Sequence, residues 1–302
     1  MRDCRLACVP LPCTAGDIAG NLRRLEAAVM AAADRDSDLV LLPEACLTGY
    51  ATDGDLPAVA LDGPEVRQVC RIGQDCGVTV AAGTAEKADG GVYLTQFLAE
   101  DGAVIGSYRK THLGEREQKV FRAGGRLNVI GSKFGKIGFQ LCWEAHFPEI
   151  TRCLALQGAD LVLMPTASGL APARRAEVWN RILPARADDN TVFVAAVNQC
   201  GDNGRGLVLG GGATVFDPRG GLLAADYCGQ AVVADLKARR APAARLRLDE
   251  ERVLPAAPAA GTVRAAGGGE EGRRYTRTCL SALMPATTGA HITNFRECPA
   301  SN

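Results

Sequence analysis

The chain predicts an α/β fold, a four-layer α-β-β-α sandwich with two stacked mixed sheets. Three observations lead there. Strand and helix patterns alternate along the first 240 residues, which asks for parallel strands covered by helices. Two hairpins interrupt that alternation, so antiparallel pairs join the same sheets. Hydrophobic residues make up 47% of the chain, enough to bury a large core. Helices then cover one face of each sheet, and the two bare faces stack on each other.

Residues 5–10 read as a strand, and "DIAGNLRRLEAAVMAAADRD" (17–36) as an amphipathic helix with Leu22, Leu25, Val29 and Ala32 on one stripe. "SDLVLLPE" (37–44) is a buried strand that ends in a carboxylate. Residues 64–76 read as a helix and 78–86 as a strand. "GVYLTQFLAEDGAVIGSYRK" (91–110) is a hairpin about Glu100-Asp101-Gly102. The pattern then repeats. Residues 136–142, 159–168 and 191–200 are strands, and the helices 148–157 and 174–189 lie between them. The first of these helices has Pro148 at its start, where a missing N–H costs nothing. "GATVFDPRGGLLAAD" (212–226) is a second hairpin, about Asp217-Pro218-Arg219-Gly220, and 231–237 is the last strand. The Gly-rich 201–212 lacks the GxGxxG register of a nucleotide loop and reads as a loop between strands. Residues 1–240 are therefore expected to form one large domain. Residues 241–302 turn to Ala, Pro, Gly and charge, the composition of a tail or linker, partly mobile or draped over a partner subunit.

The totals exclude several classes. Lys plus Arg and Asp plus Glu are both 34, a formal net charge of +0, which argues against a nucleic-acid partner. The longest apolar runs, such as "TVFVAAV" (191–197), fall far short of the ~20 residues a membrane helix needs. The start, "MRDCRLACVPLPC", lacks the apolar region of a signal peptide, so the expected location is cytoplasmic. Twelve cysteines without a secretory signal do not suggest a disulfide framework. Cys4, Cys8 and Cys13 match no zinc or cluster spacing, and Cys4, Leu6 and Cys8 alternate as core residues of a strand do. No metal and no organic cofactor is expected.

One cysteine stands apart. In "GFQLCWEAHFPE" (138–149), Cys142 sits between an apolar run and an acidic, aromatic one. A thiol attacks only as thiolate, so something must take its proton. His146 and His112 are available, but no Asn or Asp is placed to orient either ring. A carboxylate and an ammonium can do the work together. Glu44 closes "LVLLPE", Lys110 closes "IGSYRK" and Cys142 closes "GFQLC". Strand ends of this kind gather at one rim of an α/β sheet, where ligands bind. There a glutamate can accept the thiol proton, and a lysine can lower the thiol pKa and later meet an oxyanion. Each residue alone has an ordinary explanation as core, cap or solvated charge. The argument rests on the three together.

These segments resemble the nitrilase superfamily, the carbon–nitrogen hydrolases. "LLPEACLTGY", "YRKTHL" and "GFQLCWEAHFPE" match its Glu, Lys and Cys motifs in order and spacing, and the likeness covers residues 5–237. The resemblance implies a catalytic Glu44–Lys110–Cys142 triad and a second glutamate after the lysine. The spacing Glu-x-x-x-aromatic-x-x-Gly selects Glu117, with Phe121 and Gly124, over Glu115. It implies acyl transfer through a thioester, with release of ammonia from a small amide or N-carbamoyl compound. Nitrile hydrolysis by the same triad, or a binding protein that kept the fold, are the alternatives. The Trp143 N–H is expected to face the oxyanion. Tyr50, Glu144, His146, Phe147, Thr166 and Ser168 are expected to approach the substrate. Arg174 and Arg175 are either substrate-carboxylate ligands or solvated charges at a helix start. The resemblance also implies a homodimer or larger homo-oligomer.

Overall fold

The computed structural model describes residues 1–53 and 56–238. The domain boundary expected at 240 and the tail 241–302 lie outside the described residues.

In chain order the elements are β1 (Cys4–Cys8), α1 (Ile18–Ala33), β2 (Leu39–Leu41), α2 (Pro64–Asp75), β3 (Thr79–Ala88), β4 (Gly91–Glu100) and β5 (Ala103–Arg109). There follow β6 (Val129–Ser132), β7 (Gly135–Phe139), α3 (Pro148–Leu156), β8 (Leu161–Thr166), α4 (Pro172–Asn190) and β9 (Phe193–Asn198). The last are β10 (Cys200–Asp202), β11 (Val208–Gly210), β12 (Ala213–Phe216), β13 (Leu222–Asp226) and β14 (Val232–Leu236).

One sheet has the order β14-β1-β2-β3-β4-β5 and the other β13-β12-β9-β8-β7-β6. Both are mixed. β1, β2 and β3 run parallel, whereas β14 pairs with β1 antiparallel and β4 turns back on β3. β7, β8 and β9 run parallel, and β6 and β12 flank them antiparallel. β6 is an addition to the expected strands, a short edge strand of Val, Ile, Gly and Ser with little period to find. Most of 201–212, expected as a loop, is the small β10–β11 hairpin.

Side-chain alternation builds the layers. Leu6, Cys8, Leu39 and Leu41 point between the sheets, where they meet Ile137, Phe139, Leu161, Leu163 and Phe193 from the other side. Ala7, Val40 and Val80 point outward onto Leu25 and Val29 of α1 and Val66 and Val69 of α2. Val162, Met164 and Val194 pack likewise under Leu154 of α3 and Trp179 and Leu183 of α4. Strands buried on both faces read as nearly unbroken apolar runs. Cys4 and Cys8 are buried between the sheets and Cys13 under α1, each as a free thiol. Among the described residues no helix is long and apolar enough to cross a membrane.

The helices begin where their caps allow. Asp17 accepts the Gly20 N–H at 2.9 Å and starts α1, and Pro64, Pro148 and Pro172 open α2, α3 and α4. α4 ends at Thr191, whose φ of 54° turns the chain into β9.

Candidate active site

β5 is antiparallel to β4, and β4 to β3, so β5 ends at the same rim as β2. Lys110 follows β5 directly. The strands before the other two motif residues stop short of them. β2 ends at Leu41, because Pro43 has no N–H for the ladder, and Glu44 lies in the turn beyond. β7 ends at Phe139, and Cys142 opens a short 3₁₀ helix, Cys142–His146.

Glu44 has no exposed surface. Its Oε1 accepts a hydrogen bond from Lys110 Nζ at 2.8 Å, its Oε2 accepts the Ala167 N–H at 3.1 Å, and its carbonyl accepts Gln199 Nε2 at 2.6 Å. Gly83 of β3 makes room for this turn. A Cβ there would stand 2.5 Å from the Ala45 nitrogen and 3.0 Å from the Pro43 oxygen.

Lys110 is equally buried and bridges two carboxylates, with Nζ also 2.7 Å from Glu117 Oε1. The same Glu117 oxygen accepts the Tyr50 hydroxyl at 2.9 Å, and Oε2 accepts the Gly114 N–H at 2.7 Å. The three-residue spacing pattern now has a cause. The Phe121 N–H donates to the Glu117 carbonyl at 2.7 Å, and its ring is buried with Ala45, Ala85 and Leu94. The Gly124 N–H donates to the Lys110 carbonyl at 2.8 Å, and a Cβ at Gly124 would stand 2.3 Å from the Arg109 oxygen. Glu115 is exposed and takes no part.

Cys142 has φ 47°, a conformation that a residue with a Cβ adopts only when its surroundings enforce it. The enforcing group is Glu144. Its Oε2 accepts the Leu141 N–H at 2.7 Å. Its Oε1 accepts the Thr111 N–H, the Thr111 hydroxyl and the Tyr108 hydroxyl at 2.7 Å, and the His112 N–H at 3.1 Å. The carboxylate thus ties the segment after Lys110 to the turn that carries Cys142.

The charges of the chamber act on one another. Burial pushes the Cys142 thiol up to about 12; Glu44 adds to the rise, Lys110 opposes it, Glu117 adds and Arg175 opposes. A carboxylate is expected to raise the thiol pKa and a lysine to lower it; here burial and the glutamates outweigh Lys110, so the resting group is a thiol. Burial also raises the Glu44 carboxyl, to about 7, against the pull of Lys110. Burial would lower Lys110, but Glu44, Cys142 and Glu117 more than offset it and hold the ammonium charged. Burial raises Tyr50 with help from Glu117, so its phenol remains a donor.

The residues expected to approach a substrate have different surroundings. Glu144 has no exposed surface, and its oxygens are filled by five donors from the protein. Thr166 is buried with its hydroxyl toward the Met164 carbonyl at 3.4 Å, and its neighbour Ala167 makes the contact with Glu44. Tyr50 does join the chamber, through Glu117. Trp143 and His146 are exposed and stack at 4.9 Å, and Phe147 packs on His112 at 4.6 Å, forming an aromatic cluster beside Cys142. Ser168 is half-buried, held by Asn198, which accepts its N–H at 2.9 Å and donates to its carbonyl at 3.0 Å. Asn198 and Gln199 were missed; two adjacent amides closing an apolar strand were the available signal. Among the described residues no group of His, Cys, Asp or Glu is arranged to hold a metal ion.

The carbon-nitrogen hydrolase family model matches residues 5–251. The chain belongs to that family. A hydrolase in the pqqF 5′ region of Pseudomonas protegens is 38% identical over 209 residues, 67% of this chain and 70% of its own length. An (R)-stereoselective amidase of a Pseudomonas species is 32% identical over 210 residues, 69% of this chain and 75% of its own. A solved structure of a mutant amidase from Nesterenkonia sp. AN1 superposes with a TM-score of 0.70 at 28% identity, covering 83% of this chain and 97% of that one. In it the acetamide moiety of fluoroacetamide is added covalently at the active-site cysteine, and the same amidase is described as a member of the nitrilase superfamily. This carbon–nitrogen hydrolase has the two stacked mixed sheets flanked by helices that its relatives share.

Proposed function

We propose that this hydrolase releases ammonia from a small amide or N-carbamoyl compound, with Cys142 as nucleophile, Glu44 as general acid and base, Lys110 at the oxyanion and Glu117 as the holder of Lys110. The observation that carries this reading is a wholly buried ammonium held at 2.8 and 2.7 Å between two carboxylates, next to a cysteine at φ 47°. Two buried carboxylates and one ammonium are costly unless their charges are put to use.

In the first step the Glu44 carboxylate takes the Cys142 proton as sulfur attacks the carbonyl carbon. The C=O electron pair moves to oxygen, and the oxyanion meets the Lys110 ammonium and the Trp143 N–H. The tetrahedral intermediate collapses as Glu44 returns the proton to nitrogen, and ammonia leaves a thioester. Water then gives a proton to Glu44 and its oxygen to the carbonyl carbon. Collapse expels the thiolate, which regains its proton from Glu44. A thiol held up near 12 beside a carboxyl near 7 suits transfer coupled to attack, because a free thiolate would be rare. The similarity to an amidase favours amides and carbamoyl compounds over nitriles. Assembly as a homodimer or larger homo-oligomer is proposed through the face of α3, where Leu156 is 62% exposed.

Ammonia release from a panel of amides, N-carbamoyl amines and nitriles tests the reading, with Cys142→Ala alongside. Release from an amide or carbamoyl compound by the wild type alone supports it. Release from nitriles alone moves the enzyme to the other branch. No release, with Cys142 inert to an electrophile, leaves a fold kept for binding.

A further inference from the structure

Arg174 and Arg175 are neighbours in sequence and opposites in place. Arg174 is exposed and pairs with Glu177 on the same helix. Arg175 is 3% exposed, and among the described residues no carboxylate lies within ion-pair distance of it. A buried cation without a counter-ion is expensive, and it is retained where it has something to bind. Only part of the guanidinium is occupied. Nη2 donates to the Ser168 carbonyl at 3.2 Å, the plane lies 4.9 Å over the Trp179 ring, and Nε has no partner. Five N–H donors are available in a guanidinium, so most remain free for an anion.

Its position puts it at the reaction. The Ser168 carbonyl that it holds is one residue past Ala167, whose N–H meets the Glu44 carboxylate. Its positive charge is felt at the Cys142 sulfur. From these observations we infer that Arg175 anchors a carboxylate of the substrate, so that the preferred substrates are amides or N-carbamoyl compounds with a carboxylate close to the scissile group. This rests on the reading of Cys142 as the nucleophile. A carboxylate fits better than a phosphate. Its two coplanar oxygens match one guanidinium edge, and it brings a single negative charge toward a chamber that already holds Glu44 and Glu117.

The test pairs substrates that differ only in charge: the monoamide of a dicarboxylic acid and its methyl ester, and an N-carbamoyl amino acid and its methyl ester. The wild type is expected to favour the acids. In Arg175→Gln the ratio of kcat/KM for acid over ester should fall about 100-fold, chiefly through KM, as the loss of a charge-assisted pair predicts. Arg175→Lys, which keeps the charge but loses the fork, should fall between the two and serves if Arg175→Gln does not fold. Equal loss on acid and ester, with a displaced pH profile, would show that Arg175 only offsets the chamber's charge and would overturn the inference. A second readout needs no turnover: the rate at which N-chloroacetylglycine and its methyl ester label Cys142. Faster labelling by the acid, lost in Arg175→Gln, supports the anchor even if no ammonia is released, an outcome that would sink the hydrolase reading alone. No preference for the acid in either assay sinks the anchor alone.

Discussion

Glu44 and Glu144 are each removed entirely from solvent, one against the Lys110 ammonium and the other beneath the loops that carry Lys110 and Cys142. The side chains are the same and the burial is the same. The donors differ. Glu144 receives five hydrogen bonds, four of them on one oxygen, from Tyr108 and the loops that follow Lys110 and precede Cys142. Glu44 receives one bond on each oxygen, and one of those comes from a cation. Glu144 therefore ties two loops together, whereas Glu44 keeps lone pairs open beside the Lys110 ammonium. The contrast shows that burial alone does not tell two carboxylates apart, whereas the donors that fill them do.

The largest expected effect breaks the chemical half of this contrast. Cys142→Ala should lose turnover by about 10⁵-fold or more, and Glu44→Gln by about 10³-fold, with a cooperative melt retained in both. Steady-state ammonia release and circular dichroism measure the two outcomes. If Glu44→Gln kept wild-type turnover, Glu44 would not be the base.

Glu144→Ala breaks the structural half. It strands the Leu141, Thr111 and His112 N–H groups and the Tyr108 hydroxyl, and should cost about 3–5 kcal/mol in urea unfolding. Glu144→Gln, which can still accept on its carbonyl oxygen, should cost less. Activity should follow the turn at Cys142, so labelling of the thiol should slow in parallel.

The pH dependence sharpens the comparison. Folding raises Glu44 from 4.5 to about 7. Between those values the folded chain keeps a proton that the unfolded chain has lost. The contribution of this group to stability is therefore full below 4.5 and is lost as pH rises through about 7. Activity runs the other way, because the base must be a carboxylate. Its acid limb should lie near 7 rather than near the ordinary carboxylate range, and the stability slope in this window should flatten in Glu44→Gln. Paired pH–rate and pH–melting curves check both signs.

Smaller still is Gly124→Ala, whose methyl would press on the Arg109 carbonyl and displace the loop between Lys110 and its neighbours. It should cost about 1–3 kcal/mol by overpacking, with a drop in kcat as Lys110 moves. The smallest is Arg174→Ala. That exposed pair should leave both the melting temperature and the selectivity unchanged, in contrast to Arg175.

Much of this was legible in the residues. The apolar strands, the amphipathic stripe of α1 and both hairpins fell where period and turn chemistry put them, because local pattern and burial agree there. β6 escaped because four residues at a sheet edge carry too little period. The five donors to Glu144 were not legible, because proximity to Cys142 in sequence says nothing about which groups fill a carboxylate.

What the sequence determined by itself was the order and spacing of the candidate residues, Glu44, Lys110, Glu117 and Cys142, and the layered sandwich that delivers strand ends to one rim. Those follow from residue type, spacing and period, which are local quantities. Tertiary structure alone decided that Arg175 is buried while Arg174 is not, that Glu144 clamps two loops, and that Cys142 rests as a thiol beside a raised carboxyl. Each of these depends on groups distant in the chain, such as Ala167 on Glu44 and Thr111 on Glu144. The physical reason is that donor count and desolvation are set by what folding brings together, and neither is a property of neighbours in the chain.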